Sequence, residues 1–224
     1  MASSKIPPAL AKISAPRPRA VLDRPRLFRA LDKSRHARLV WLGDAAGAGK
    51  TTLVSSYLRA RRLRAIWYRM DRLDEDPGRL FHHLSFALER LRPGLANALP
   101  KPMRGSSASE FALRYFEAFF NALPDGGLLV LDDFQEAGAE GVWQTLIAEA
   151  IRAVRPRTNL FVLSRDEPSP ALARHGLDAE LTRLGGAELR LTEAELAALA
   201  RRRFPRRSGL SAPLLARVHA VSAG

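Results

Sequence analysis

Apolar positions along the chain follow two patterns. Apolar runs at 128–131 and 159–163 have the length of strands buried on both faces of a parallel sheet, and 39–42 and 65–70, the latter interrupted by Arg69, read as two further strands. Between them, apolar residues recur every three or four positions, which predicts amphipathic helices. One helix starts at Pro77, carries Leu80, Phe81, Leu84, Leu88 and Leu91 on one face, and stops at Pro93-Gly94. A second carries Phe111, Tyr115, Phe116, Phe119 and Leu123, a stripe whose spacing marks it as core and not as a base-stacking platform. Further helices are expected over 25–32, with Pro25 in the first turn, and over 50–61, 142–154 and 212–221. A short strand is expected near 187–191. Thr192 and Glu195 then form a capping box, with Leu191 and Leu196 placed as a hydrophobic staple. Residues 1–24, rich in Pro, Ala and Arg, read as an extended lead-in, the acidic stretch 71–76 as a loop, and 93–108 as a Pro/Gly/Ser loop. Alternating strands and helices predict an α/β fold, a parallel sheet flanked by helices with a short helical C-terminal extension.

Candidate chemistry sits at the strand ends. The first apolar run stops at a small-residue loop, Asp44-Ala45-Ala46-Gly47-Ala48-Gly49-Lys50-Thr51-Thr52, and a helix follows. Strand, glycine loop and helix is the order a phosphate-binding loop requires. Glycines let backbone N–H groups turn inward around phosphate oxygens, and the helix N-terminus adds partial positive charge. Lys50 can reach the β- and γ-phosphates, and the Thr51 hydroxyl can ligate Mg²⁺. The strict pattern GxxxxGK[ST] wants glycine where this chain has Asp44, so the loop alone is also compatible with a Gly/Ala-rich turn.

A second element is the run 128–131 followed by Asp132-Asp133, a Walker B pattern in which a buried strand delivers carboxylates to its C-terminal edge. Asp132 is positioned to hold Mg²⁺, directly or through a water, and Asp133 to orient or deprotonate an attacking water. Arg165, just past the next strand, is a candidate γ-phosphate contact, and Arg174 a weaker one.

Composition narrows the function classes. The formal net charge is +13, and only five of the 36 basic residues are lysine. An Arg- and Ala-rich bias of this kind is weak support for nucleic-acid binding. The clusters Arg61-Arg62 with Arg64, and Arg201-Arg202-Arg203 with Arg206-Arg207, lack interleaved aromatics and read as solvated faces or docking surfaces for acidic partners. The absence of cysteine excludes disulfides, thiolate catalysis and Cys-based zinc sites and agrees with a cytoplasmic setting. No apolar run approaches the roughly 20 residues of a membrane span. The adjacent pair His82-His83 points two ways on a helix and reads as structural.

The ordered set of motifs resembles the N-terminal ATPase module of the MalT-like, LuxR-type transcription regulators, which belong to the STAND class of P-loop NTPases. The segments that carry the resemblance are 16–32, the loop 45–53, 65–84, 128–137, 159–174 and 189–200, and residues 214–224 look like the start of the family's next region. The resemblance implies a P-loop NTPase domain over 25–191, after the lead-in 1–24, and a helical segment over 192–224 that opens a further region. It implies ATP or ADP with Mg²⁺, slow hydrolysis and a switch between ADP-bound resting and ATP-bound active states. Residues Ala46 to Thr52 would bind phosphate, Thr51 and Asp132 the metal, and Asp133, Lys50 and Arg165 would serve the reaction. Arg24, Pro25 and Arg26 would lie near the adenine or ribose. The implied partners are the protein's own C-terminal regulatory regions, a second copy in the ATP state, and DNA only through a domain absent from these residues, so that the chain is a portion of a longer regulator. Two other readings of the motifs remain at this point: a metabolic P-loop kinase or phosphotransferase, and a basic nucleic-acid-binding ATPase.

Overall fold

A computed structural model describes residues 11–17, 21–102, 105–137, 141–173, 180–203 and 217. Five strands form one parallel sheet: β1 (Leu39–Gly43), β2 (Ala65–Arg69), β3 (Leu128–Asp132), β4 (Asn159–Ser164) and β5 (Leu181–Gly185), in the spatial order β2-β3-β4-β1-β5. The three central strands are buried at every position, as their unbroken apolar runs require.

Side chains alternate across these strands and divide the interior into two cores. Leu39, Trp41, Leu129, Leu131, Leu160 and Val162 face one layer, built from α3 (Pro77–Leu91), α4 (Ala108–Ala122) and α5 (Val142–Ala153). Val40, Leu42, Leu128, Val130, Phe161 and Leu163 face the other, built from α1 (Pro25–Ser34) and α2 (Lys50–Arg61). The predicted stripe of α4 is core: Tyr115, Phe116, Phe119 and Leu123 are buried and Phe111 packs partly buried against them, with Phe120 a further buried ring. Two short helices complete the fold, α6 (Pro170–Ala173) and α7 (Glu193–Arg203). Among the described residues, no helix is long and apolar enough to cross a membrane.

Local chemistry sets the element ends. Ser107 and Glu110 close a reciprocal capping box on α4, and Asp76 caps the Gly78 N–H of α3. The box expected at α7 is present, with the Thr192 N–H donating to Glu195 and the Glu195 N–H to Thr192.

The structure corrects two expectations. The strand expected near 187–191 is a turn, and the fifth strand is β5, one loop earlier. The apolar alternation at 187–191 misled because Leu189 is a single anchor in the α1–α2 core, whereas Leu181 and Leu184 lie in a backbone that pairs with β1. The acidic stretch after β2, expected as a loop, folds as a 3-10 turn, Arg72–Glu75, closed by its own capping box between Asp71 and Asp74.

The lead-in is also anchored at Lys12. This side chain is buried, donates to the fully buried Asp74 at 2.7 Å and pairs with Asp71 at 2.8 Å. Residues 1–10, 18–20 and, apart from the helical residue 217, the expected helix over 212–221 lie outside the described residues.

Candidate nucleotide site

The C-terminal ends of three adjacent strands, β3, β4 and β1, carry the candidate residues. The chain leaves β1 at Gly43 and turns through residues 44–49 into α2. Gly47 and Gly49 hold φ of +87° and +82°, in the left-handed region, where a side chain would be strained. Nothing lies within 4 Å of the Cβ that either glycine lacks, so conformation and not crowding demands glycine here. Gly49 is the N-cap of α2, and Ala46, Gly47 and Gly49 are exposed, with Ala48, Thr51 and Thr52 half-buried. The loop therefore presents a helix N-terminus to solvent, an environment suited to phosphate.

Asp44 is tied into the loop by its own hydrogen bonds. Its carboxylate accepts from the Ala45 N–H at 2.7 Å, and its backbone carbonyl accepts from the Lys50 ammonium. Lys50 also donates to the Ala45 carbonyl at 3.0 Å, so its ammonium lies across the loop mouth. Desolvation holds the Lys50 ammonium below its ordinary pKa of 10.5; the negative charge of Asp44 opposes this and Arg165 adds to it.

Thr51 and Asp132 meet across the site. The Thr51 hydroxyl donates to Asp132 Oδ1 at 2.8 Å, joining the first turn of α2 to the end of β3. Asp132 is 2% exposed, and burial pushes its carboxyl above the usual range, while the Thr51 hydrogen bond pulls the other way. Two oxygens 2.8 Å apart are close to the spacing of neighbouring ligands of an octahedral Mg²⁺, about 3.0 Å at Mg–O distances of about 2.1 Å. A cation would also offset the cost of burying the Asp132 charge. The residues present fit the metal.

Asp133 follows in the left-handed conformation, φ +55°, which aspartate tolerates better than most residues. Its Oδ2 accepts from Arg69 Nε at 2.9 Å. Arg165 stands at the end of β4, half-exposed, 3.8 Å from Glu136, and its backbone N–H donates to Gln135 Oε1. Lys50, Thr51, Asp132, Asp133 and Arg165 are thus brought to one edge. Arg24 and Arg26 flank Pro25 at the start of α1, and both guanidinium groups donate to the Arg190 carbonyl and to Glu195, Arg26 also to the Glu188 carbonyl. Arg174 lies outside the described residues.

Several participants were not foreseen. Arg69 stands out in the sequence only as a charge ending an apolar strand; its place opposite Asp132 comes from the pairing of β2 with β3. Gln135 and Glu136, one residue beyond the double aspartate, reach Arg165. Glu195 was recognised as a cap but not as the acceptor for two arginines.

The chain is 30% identical to the HTH-type transcriptional regulator MalT of Cronobacter sakazakii over 180 residues, 77% of this chain. It spans 19% of that relative's length. No family profile matches. Among solved structures, a Walker-type ATPase of Pyrococcus abyssi superposes with a TM-score of 0.56 at 13% identity, covering 89% of this chain and 63% of that one. The Orc1 protein of Aeropyrum pernix, solved with DNA, superposes with a TM-score of 0.53 at 18% identity, covering 88% and 56%. Those identities speak for the fold alone. Taken with the glycine loop, the Asp132-Asp133 strand end and the order of the parallel sheet, the match to MalT identifies this chain as a MalT-like P-loop ATPase domain.

Proposed function

We propose that the domain binds ATP or ADP with Mg²⁺ and hydrolyses ATP slowly, as the nucleotide-controlled switch of a longer MalT-like regulator. The observation that carries this reading is the Thr51–Asp132 contact, which joins the exposed glycine loop to a buried carboxylate at one sheet edge. The N–H groups of residues 46–52 and the Lys50 ammonium would hold the phosphates. Thr51 and Asp132 would hold Mg²⁺, which when bound draws charge from the β- and γ-phosphate oxygens. Asp133 would orient the water, whose oxygen bonds to the γ-phosphorus as the bond to the bridging oxygen breaks. ATP and water give ADP and inorganic phosphate, with the water's protons carried away on phosphate and solvent. Arg165 would contact the γ-phosphate and so distinguish ATP from ADP.

The arginines at the start of α1 support the switch. The Nε–H groups of Arg24 and Arg26 are buried with no hydrogen-bond partner among the described residues, so a ribose or adenine would engage them only by turning these side chains. The same side chains hold Glu195, the cap of α7. Occupancy of the nucleoside end would thereby bear on the segment that leads out of the domain. Burial pushes the Glu195 carboxyl up, but the hydrogen bonds from Arg24, the Thr192 N–H and Arg26 outweigh it, so the group stays charged below its ordinary range.

Calorimetric titration with ATP and ADP, together with phosphate release in the absence of any acceptor, tests the proposal. Asp133→Asn should lower single-turnover hydrolysis on the order of 10²-fold, the loss expected when a water-orienting base is removed, with ATP affinity little changed. Equal turnover in the variant would remove Asp133 from the reaction, and phosphate release only with an added acceptor would favour a phosphotransferase.

A pH dependence follows from Lys50. Phosphate favours the charged ammonium, and desolvation in the free domain disfavours it. Nucleotide affinity should therefore fall as pH rises through the lowered Lys50 pKa, in the alkaline window below 10.5, with proton uptake on binding there. Titrations in two buffers of different ionisation enthalpy measure that uptake, and Lys50→Ala should abolish it.

A further inference from the structure

The geometry points to Arg69 as a positioning residue that latches Asp133 away from the attacking water, an inference that rests on the ATPase reading above. β2 and β3 are register partners, with Arg69 opposite Asp132. Alternation along β2 puts Arg69 on the side of Trp67, the side of the sheet that α2 covers and from which Thr51 reaches Asp132. The left-handed turn at Asp133 then brings its carboxylate to the Arg69 guanidinium, Oδ2 to Nε 2.9 Å.

The other carboxylate oxygen faces the Gln135 amide, at 3.5 Å. Gln135 in turn accepts from the Arg165 backbone N–H. Both oxygens that would orient a water are thus directed at protein donors, one of them cationic. They face a cleft of about 660 Å³ whose walls include Arg69, Arg72, Asp133, Glu136 and Arg165. Arg69 is two-thirds exposed, so the latch opens with little reorganisation. The γ-phosphate, bound on the same edge, carries the charge to draw the guanidinium off Asp133. Slow turnover is then partly a restraint written into the end of β2.

The test compares the 224-residue chain with Arg69→Ala and Arg69→Lys at saturating Mg²⁺ and ATP. Loss of an exposed ion pair should raise the single-turnover rate roughly two- to fivefold in Arg69→Ala, with ATP affinity unchanged. Arg69→Lys should keep a rate close to that of the parent chain. Salt should accelerate the parent chain toward the alanine variant and leave that variant unaffected, because screening opens the same pair. An Arg69→Ala rate equal to or below that of the parent chain overturns the latch. Lys50→Ala separates the two readings. If it leaves ATP affinity intact, the nucleotide site itself fails; if it removes binding while Arg69→Ala does not accelerate, only the latch fails.

Discussion

Replacing Lys50 with alanine should weaken ATP binding about 10- to 100-fold and leave the fold intact. The affinity loss is that of one charge-assisted hydrogen-bond group, worth about 1.5–3 kcal/mol. The fold survives because Lys50 bonds only to the backbone carbonyls of Asp44 and Ala45, with no buried carboxylate depending on it. Ala45 is exposed, so water can replace the ammonium at its carbonyl. Calorimetry reads the affinity and circular dichroism the fold. Unchanged affinity would mean that the loop does not cradle phosphate. Thr51 gives a contrasting case: Thr51→Ala takes a hydrogen bond from the buried Asp132 and should cost stability in the free domain as well as Mg²⁺-dependent affinity.

The second large effect is on stability and arises far from the loop. Lys12→Met should destabilise the domain by about 3 kcal/mol, because it strands Asp74 as a fully buried carboxylate. Asp74 also accepts from the Tyr68 hydroxyl at 2.6 Å and from the Asp71 N–H at 2.8 Å, so the charge keeps hydrogen bonds but loses its cation. Burial and this bond to Asp74 push the Tyr68 phenol well above its usual range, so the hydroxyl remains a donor throughout the accessible pH range. In a chain of this size the loss corresponds to a fall in Tm of roughly 6–12 °C. Combining Lys12→Met with Asp74→Asn should recover most of it, since no buried charge is then left unpaired. If the single and double variants melt together, the ion pair is not what anchors residues 11–17.

Much of the layout was legible in the pattern of residues. The runs at 39–42, 128–131 and 159–163 became the buried strands β1, β3 and β4, because strands covered on both faces favour apolar side chains except at their ends, where Asn159, Ser164 and Asp132 sit. The α4 stripe became core because helical spacing places its rings on one face. Gly47 and Gly49 announced the loop because a left-handed backbone selects glycine locally. The edge strand β5 escaped notice because it is buried only at Leu181 and Leu184, and its sequence LTRLG carries too few apolar residues to stand out. The neighbouring alternation at 187–191 was equally plausible, and pairing with β1 decided between them.

Sequence alone determined the order of the first four strands and the helices between them, the loop that turns on glycine, and the supply of an ammonium, a hydroxyl and two carboxylates around the strand ends. These are properties of neighbours in the chain, set by backbone geometry and by which faces can be buried. Only the tertiary structure decided what each charged group touches. Arg69 meets Asp133 across 64 residues, Lys12 meets Asp74 across 62, and Arg24 meets Glu195 across 171. In a chain with 36 basic and 23 acidic residues, local sequence offers many partners to every charge. Strand order and register select one, and at the fully buried Asp74 the choice is fixed further by the cost of leaving that carboxylate unpaired.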